Sequence, residues 1–254
     1  MKKYIKSVCL ICSLVMLFYL NTSALDKQSY SWYCKRNTTH EQPQIDAEMQ
    51  FIEDLGGFYV DKSSKNEKTV YLTFDAGYEN GNVEKILDIL KAEKINGSFF
   101  VLENLLLKEP ELIKRMVNEG NLVCNHTATH KDISKLSFNE LKSELTRVES
   151  LFNEITEREL PKYFRPPEGR FSRESLQNLQ KLGYKTVLWS FAYADWDNNS
   201  QMSYEKAIKK VMDNIHNGEI MLLHPTSSTN VKILPEVIQK LKSEGYTFKT
   251  VDKL

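Results

Sequence analysis

From Thr69 onward, short apolar runs alternate regularly with longer amphipathic stretches. The apolar runs are rich in β-branched and aromatic residues and read "TVYLTF", "GSFFVL", "NLVC", "YFRP", "KTVLWSF", "EIMLLH" and "YTFKTV". Each run has the length of a buried strand, and each gap is long enough for a helix with its loops. Because strands separated by helices pair in parallel, the alternation predicts an α/β fold built on a parallel sheet.

The amphipathic stretches between these runs predict six helices. They read "GNVEKILDILKAEK", "EPELIKRMVNEG", "SFNELKSELTRVESLFNEI", "SRESLQNLQKLG", "SYEKAIKKVMDNIHNG" and "NVKILPEVIQKLKSEG". Apolar residues recur in them at three- and four-residue steps, and Ser137 precedes Glu140 in the pattern of a capping box. Seven strands with six intervening helices predict a distorted, incomplete (β/α)7 barrel.

The start of the chain has the layout of a secretory signal. The basic segment "MKKYIK" leads into an apolar stretch at residues 8–20 and a small-residue ending at Ala24. This apolar stretch is shorter than the ~20 residues that a helix needs to span a bilayer. We expect residues 1–24 to be a signal peptide, with an uncleaved N-terminal anchor as the alternative.

The predicted signal divides the rest of the chain into two parts. Residues 25–67 are expected to form an N-terminal arm with a helical piece at residues 45–55, and residues 68–254 are expected to form one domain. Export across the cytoplasmic membrane would place both parts in the extracellular space or the cell wall. Beyond the signal only Cys34 and Cys124 remain, which is no disulfide framework. They could pair in an oxidising compartment, and we interpret them as structural or free.

Composition excludes some classes of partner. Lysine and arginine together number 34, as do aspartate and glutamate, so the chain has no net charge. A protein that binds nucleic acid through its phosphates needs a positive surface, so no nucleic-acid partner is expected. The hydrophobic share of 41% and the charged share of 27% are typical of a globular protein.

Reactive side chains follow the predicted strands. In parallel barrels the chemistry lies at the carboxyl ends of the strands. The residues found there are Asp75, His126, His130, Arg165, Asp195, Trp196 and His224. Each alone has an ordinary structural interpretation, since an aspartate after a strand often forms a turn and a histidine is often a hydrogen-bonded core residue. Their joint occurrence at five strand ends predicts one active site.

Five segments, "TFDAG", "HTATH", "RPPEG", "ADW" and "LLHP", resemble the ordered motifs of the polysaccharide deacetylases, the NodB-homology carbohydrate esterases. The resemblance covers residues 68–254 and implies a barrel of the NodB-homology type. Within the family the chain is most similar to the muramic-δ-lactam-forming de-N-acetylases of spore cortex. The segments "SWYCKR", "TFDAGYENG" and "GYTFKTVD" carry that similarity.

The resemblance implies a role for each strand-end residue. Asp75 would be the general base, held by a bidentate bond from Arg165. His224 would protonate the leaving amine, and Asp195 would pair with His224, raise its pKa and fix its tautomer. The backbone N–H of Glu168 would stabilise the oxyanion.

The resemblance also implies a metal and a sugar-binding surface. His126 and His130 would bind a divalent metal, zinc first, with manganese, cobalt or magnesium as alternatives. Most of the family has a second aspartate where this chain has Ala76, so we expect the metal to be weakly held. Trp196 and Tyr78, and also Tyr193, are candidates for stacking on sugar rings.

The function implied is de-N-acetylation of N-acetylmuramic acid in peptidoglycan glycan strands. A monomer would act in the cell wall or the forespore intermembrane space, after a peptidoglycan amidase has removed the peptides. One alternative is an N-acetylglucosamine deacetylase acting on peptidoglycan or chitin-like chains. Another is a glycan-binding protein that has lost turnover through Ala76. Because binding alone would not need the whole acid–base set, the sequence favours an enzyme.

Overall fold

The computed structural model describes residues 26–254, and the predicted signal at residues 1–24 lies outside this range. Its strands are β1 (Ser29–Ser31), β2 (Gly57–Phe58), β3 (Thr69–Ala76), β4 (Ser98–Val101), β5 (Leu122–Asn125), β6 (Tyr163–Phe164), β7 (Arg170–Ser172), β8 (Lys185–Val187), β9 (Glu219–Leu223) and β10 (Thr247–Lys249). Its helices are α1 (Phe51–Asp54), α2 (Val83–Ala92), α3 (Glu103–Lys108), α4 (Pro110–Asn118), α5 (Phe138–Thr156), α6 (Arg173–Lys181), α7 (Tyr204–Met212) and α8 (Ser228–Ser243). Within residues 26–254, none of these helices has the length and apolar character needed to cross a membrane.

A parallel sheet of eight strands forms the centre of the fold. β3 is its central strand. β9 pairs along one edge of β3, whereas β10 and β4 share the other edge, near its start and its end respectively. From β4 the order continues through β5, β6 and β8 to β2. The seven predicted strands are all present, and the parallel arrangement is confirmed.

Two isolated bridges bring the ends of the sheet together. Phe191, which follows β8, pairs with Met221, and Val60, which follows β2, pairs with Glu219. Both partners lie on β9, so the far edge of the sheet returns to the strand beside β3. The sheet therefore curls into the distorted barrel that the sequence predicts.

Alternation along β3 determines which side chains face the barrel interior. Leu72, Phe74 and Ala76 belong to the large apolar cluster that includes residues of α2 and α8. Tyr71 belongs instead to a small cluster with one residue from each of β4, β5, β8 and β9. Asp75 is on the same side of β3 as Tyr71, at the carboxyl end of the strand. The pattern therefore points the aspartate inward and the neighbouring alanine toward the helices.

Four elements, β1, β2, β7 and α3, were not predicted. β2 comes from the arm and pairs with β8, and β1 forms a separate antiparallel pair with β7. Both are too short to show alternation. α3 occupies "ENLLLK" and ends just before Pro110, which begins α4 at a position that tolerates proline. The helical piece expected at residues 45–55 consists of a 3₁₀ turn, Ala47–Met49, and α1. The domain boundary at residue 68 stays a prediction.

The predicted capping box at the start of α5 is confirmed. The Ser137 N–H donates to Glu140 Oε2 at 2.8 Å, and the Glu140 N–H donates to Ser137 Oγ at 3.3 Å. Two of the unpaired N–H groups that a helix start leaves open are thereby satisfied.

The arm is fastened to the turn before β9 at Gly218. The Asp61 N–H donates to the Gly218 carbonyl, and the Gly218 N–H donates to the Thr69 carbonyl, both at 2.8 Å. Gly218 has φ +72°, and a Cβ there would lie 2.3 Å from the Asp61 carbonyl oxygen. Only glycine fits this junction of the arm, β3 and β9.

We expect Gly218→Ala to destabilise the protein by about 3 kcal/mol, since a left-handed conformation and a backbone clash add together. Urea unfolding of the purified protein measures this loss. Gly183→Ala is the matched control, because Gly183 has φ +81° but open space around its Cβ position. It should cost about 1 kcal/mol. Equal losses in the two variants would show that the arm junction is not tightly packed.

Candidate active site

The predicted strand-end residues converge on one cleft at the carboxyl end of the barrel. The cleft has a volume of about 730 Å³. Its wall contains Asp75, Gly77, Tyr78, Leu102, His126, His130, Glu168, Trp189, Ala192, Tyr193, Ala194, Trp196, Leu222, His224 and Thr226. Arg165 and Asp195, with 0% and 1% of their surface exposed, lie behind this wall. Every site residue predicted from the sequence is therefore in the cleft or directly behind it.

Arg165 fixes the carboxylate of Asp75 by a single hydrogen bond. Its Nη1 donates to Asp75 Oδ1 at 2.8 Å. The predicted bidentate bond is wrong, because Nε and Nη2 donate instead to the carbonyls of Val187 and Leu188, at 3.0 and 3.2 Å. The guanidinium also lies 4.1 Å from the centre of the Phe100 ring. Arg165 thus links β3 to the end of β8 and leaves Asp75 Oδ2 for the cleft.

Charge keeps Asp75 ionised despite its burial. Burial alone would raise the pKa of Asp75, but the positive charge of Arg165, with a smaller contribution from His224, lowers the pKa below its ordinary value. The carboxylate is therefore negative at neutral pH. It can accept a proton from a molecule in the cleft.

His126 presents one free ring nitrogen to the cleft. Its Nδ1 lies 2.8 Å from the Arg165 carbonyl, which can only accept, so Nδ1 carries the proton. Nε2 lies 3.6 Å from Asp75 Oδ2. Burial lowers the pKa of His126 to about 4, against the opposing charge of Asp75, so the ring is neutral.

The turn that carries "HTATH" brings the second imidazole beside the first. Thr127 and His130 have φ of +74° and +59°, and the Thr127 N–H donates to Asn125 Oδ1 at 2.9 Å. Glu144 of α5 accepts from both the N–H and the hydroxyl of Thr129 at 2.8 Å. The centres of the His126 and His130 rings are 5.1 Å apart as a result.

The two imidazoles fit a metal site with few protein ligands. A neutral histidine whose other nitrogen is fixed by a carbonyl is the usual form of a metal ligand. Within residues 26–254, however, no group of three or more His, Cys, Asp or Glu residues has a metal-binding arrangement. Ala76 is fully buried and forms no part of the cleft wall. A catalytic zinc normally has three protein ligands, so two imidazoles would make a weak site.

His224 and Asp195 form a second polar pair at the cleft. His224 Nδ1 lies 2.7 Å from Asp195 Oδ1, and the His224 N–H donates to Asp195 Oδ2 at 2.8 Å. Nε2 is the ring nitrogen left for the cleft. Burial lowers the pKa of His224, but the hydrogen bond and charge of Asp195 outweigh it, so the pKa is raised above its ordinary value. The pair can therefore donate a proton.

The predicted aromatic residues differ in exposure. Trp196 is 63% exposed and Tyr78 45%, both at the rim of the cleft. The Tyr78 hydroxyl accepts from Asn198 Nδ2 at 2.8 Å, which ties two loops together. Tyr193 is 8% exposed, and its hydroxyl donates to Asn230 Oδ1 behind the cleft. Tyr78 and Trp196 are thus the aromatic rings free to contact a ligand.

The arm supports the wall of the cleft. The Trp32 N–H donates to the Gly169 carbonyl at 2.8 Å, and Trp32 Nε1 donates to the Trp189 carbonyl at 2.9 Å. The first bond holds the turn of Glu168, whose φ is +54° and whose carboxylate pairs with Arg170 at 3.0 Å. The positions of Glu168 and Trp189 therefore depend on Trp32 of the arm as well as on the strand ends.

Sequence reasoning missed Asn230 and the apolar wall. Asn230 of α8 is fully buried, and its Nδ2 donates to Asp195 Oδ2 at 2.6 Å. It occupies a polar position in an amphipathic helix, so the sequence gives no signal for it. Trp189 and Leu222 continue the apolar strand runs, so the sequence does not distinguish them from core residues.

The two remaining histidines, His40 and His216, and the two cysteines lie elsewhere. His216 bonds to Ser190 Oγ at 2.8 Å and pairs with Glu219 at 3.1 Å, all buried beside the bridge that closes the barrel. Cys34 and Cys124 are unpaired within the described part of the chain. None of these residues lines the cleft.

Comparison with known proteins gives consistent matches. Residues 62–187 match the model of the polysaccharide deacetylase family. The peptidoglycan-N-acetylmuramic acid deacetylase PdaA of Bacillus subtilis is 37% identical over 99% of this chain and 95% of its own. Its solved structure has a TM-score of 0.86, with 38% identity, over 90% of this chain and 97% of that chain.

Two further relatives are similar over most of the chain. An uncharacterised 30.6 kDa protein of Geobacillus stearothermophilus is 39% identical over 96% of this chain and 93% of that protein. A peptidoglycan-N-acetylglucosamine deacetylase of Bacillus cereus is 30% identical over 78% of this chain and 93% of that protein.

We expect Arg165→Met to destabilise the protein by about 3 kcal/mol or more near neutral pH, because Asp75 would remain as an unpaired buried charge. The pKa of Asp75 would then rise with burial unopposed. The stability difference from wild type should therefore shrink as the pH falls and Asp75 becomes protonated.

Urea unfolding at several pH values measures this difference. Arg170→Met is the matched control, since Arg170 is exposed and its pair with Glu168 should contribute no more than about 1 kcal/mol. A loss for Arg165→Met that stays constant with pH would contradict the ion-pair interpretation.

Proposed function

The chain belongs to the polysaccharide deacetylase family, and we propose that it removes the acetyl group from N-acetylmuramic acid residues of peptidoglycan. The observation that carries the proposal is the placement of an arginine-held carboxylate, Asp75, and an aspartate-paired imidazole, His224, in one cleft. The Bacillus subtilis relative, whose name gives this activity, matches nearly the whole chain. Hydrolysis of an acetamide requires one group that takes a proton and another that gives one.

Asp75 acts first, as the general base. Its free Oδ2 accepts a proton from a water molecule while the water oxygen attacks the acetyl carbonyl carbon. Arg165 holds the other carboxylate oxygen and keeps the group ionised until this step. The negative charge that develops on the acetyl oxygen is stabilised by the backbone N–H of Glu168, on the turn held by Trp32.

His224 acts second, as the general acid. The tetrahedral intermediate breaks its C–N bond, and His224 Nε2 delivers a proton to the departing sugar nitrogen. The products are acetate and the free amine of the muramic residue. Asp195 accepts a hydrogen bond from His224 Nδ1 and stabilises the imidazolium before the proton transfer.

His126 and His130 would hold a divalent metal in this cleft, zinc first, with manganese, cobalt or magnesium as alternatives. When bound, such an ion polarises the acetyl carbonyl and lowers the pKa of water. Ala76 supplies no third ligand, so the affinity is low. Tyr78 and Trp196 contact the sugar rings of the glycan strand at the rim.

The setting of the reaction follows from the substrate. The chain is exported and acts as a monomer in the cell wall or the forespore intermembrane space, on strands from which an amidase has removed the peptides. The amine that it frees can close on the lactyl carboxylate to give the muramic δ-lactam of spore cortex. Sporulation and germination are the processes served.

Deacetylation of N-acetylglucosamine is the second candidate, favoured by the Bacillus cereus relative of that name. Mass spectrometry of peptidoglycan, with peptides intact or removed, distinguishes the two after incubation with the purified chain lacking residues 1–24. Loss of acetyl from muramic residues of the stripped polymer is the expected result. Loss from glucosamine residues supports the second candidate.

The Asp75→Asn variant is the control in this experiment, and it should lose at least about 10²-fold in rate. An unchanged polymer with the wild-type protein would instead favour the glycan-binding alternative.

We expect the alkaline limb of the pH–rate profile to reflect the loss of the proton from His224. Activity should fall as the pH rises through the raised pKa of His224, because the acid loses its proton. In Asp195→Asn, burial remains without the opposing carboxylate, so the pKa of His224 should fall and the limb should move to lower pH by about one unit or more. Measurement of kcat/KM against pH tests this. If the alkaline limb stays at the same pH in Asp195→Asn, the assignment of His224 as the general acid is wrong.

We also expect weak zinc binding that depends on the two imidazoles. Isothermal titration should detect this weak binding, and His126→Ala or His130→Ala should abolish it because only one imidazole would remain. His40→Ala is the control, since His40 bonds to the Ile215 carbonyl outside the cleft. Retained zinc binding in His126→Ala would show that the ion is held elsewhere.

A further inference from the structure

Asn230 lies directly behind the pair formed by Asp195 and His224. It is the third residue of α8 and is fully buried. Its Nδ2 donates to Asp195 Oδ2 at 2.6 Å and lies 3.0 Å from the His224 carbonyl oxygen. One carboxamide therefore contacts both partners of the pair, although it does not line the cleft.

The orientation of this carboxamide is fixed from the other side. The Tyr193 hydroxyl donates to Asn230 Oδ1. If the amide were reversed, its oxygen would face the Asp195 carboxylate, and two acceptors would meet without a proton between them. The Asn230 N–H bonds to Ser227 Oγ at 3.1 Å, which anchors the start of α8. Backbone and side chain are thus both held in place.

The bonds to Asp195 are divided between its two oxygens. Oδ2 accepts from Asn230 Nδ2 and from the His224 N–H, at 2.6 and 2.8 Å. Oδ1 is left to His224 Nδ1 at 2.7 Å. Without Asn230, Oδ2 would keep only the His224 N–H as a donor, and rotation of the carboxylate about its Cβ–Cγ bond would be less restricted. The partner of His224 Nδ1, which directs Nε2 into the cleft, would then be held less rigidly.

We infer that Asn230, locked by Tyr193, is a positioning residue for the general acid, holding Asp195 so that His224 Nε2 faces the leaving nitrogen. The inference rests on the proposed function, in which His224 protonates that nitrogen. The Tyr193 ring lines the cleft while its hydroxyl bonds to Asn230.

The test compares two substrates that differ in their need for an acid. A glycan acetamide releases an amine, which must be protonated as it leaves, whereas an aryl acetate such as 4-nitrophenyl acetate releases a stable anion. Asn230→Leu should lower kcat on the acetamide by at least about 10-fold, a part of the 10²–10⁴-fold that a general acid contributes. KM on the acetamide and kcat on the aryl acetate should stay within about 2-fold of wild type.

Tyr193→Phe keeps the ring and removes only the hydroxyl. It should lower kcat on the acetamide by about 3- to 10-fold, as expected for one neutral hydrogen bond, and leave the aryl acetate unaffected. Thr229→Val is the matched control on the same helix turn, because its hydroxyl bonds to the Met202 carbonyl and not to the pair. It should leave both activities unchanged.

His224→Ala separates the failure of this inference from failure of the proposed function. If His224→Ala loses the acetamide selectively and Asn230→Leu does not, the positioning role is wrong and the acid assignment stands. If His224→Ala shows no such selectivity, the acid assignment itself is wrong. Equal losses on both substrates in Asn230→Leu and in Tyr193→Phe would mean that Asn230 serves only the packing of α8, which also overturns the inference.

Discussion

The buried ion pair between Arg165 and Asp75 is the contact on which the site depends. Arg165 uses its side chain to hold Asp75 of β3 and two carbonyls at the end of β8, and its own carbonyl fixes the tautomer of His126 after β5. Four strand ends are thus connected through one residue. Such a pair is costly to desolvate. Here Nε, Nη1 and Nη2 of Arg165 each donate one hydrogen bond. These hydrogen bonds fix the relative positions of the side chains in the cleft.

Two polar pairs, which shift pKa values in opposite directions, lie at the same cleft. Arg165 lowers the pKa of a buried carboxylate, and Asp195 raises the pKa of a buried imidazole. Without their partners, burial would push both groups toward their neutral forms. The base is therefore ready to accept and the acid ready to donate over the same range of pH. The division of labour comes from the environment of each group and not from its intrinsic chemistry.

The sequence predicts well whatever depends on local periodicity. Alternation along β3 places Asp75 inward at a strand end, and parallel pairing then brings Asp75, His126 and His224 to one edge of the barrel. Features that depend on tertiary packing were missed. β2 is two residues long, Asn230 looks like any polar helix position, and the single bond from Arg165 results from carbonyls at the end of β8 that compete for its donors. No local pattern encodes these contacts.

The arm lies outside the part of the chain that carries the strand-end motifs, yet it supports the barrel and the cleft. The family match begins at residue 62, yet Val60 helps to close the barrel and Trp32 holds both the turn of Glu168 and the carbonyl of Trp189. A fragment cut at the first motif would keep every reactive side chain and lose the supports that set two walls of the cleft. The residues that shape the cleft therefore extend beyond the region by which the family is recognised, so substitutions in the arm can alter the cleft without touching a reactive side chain.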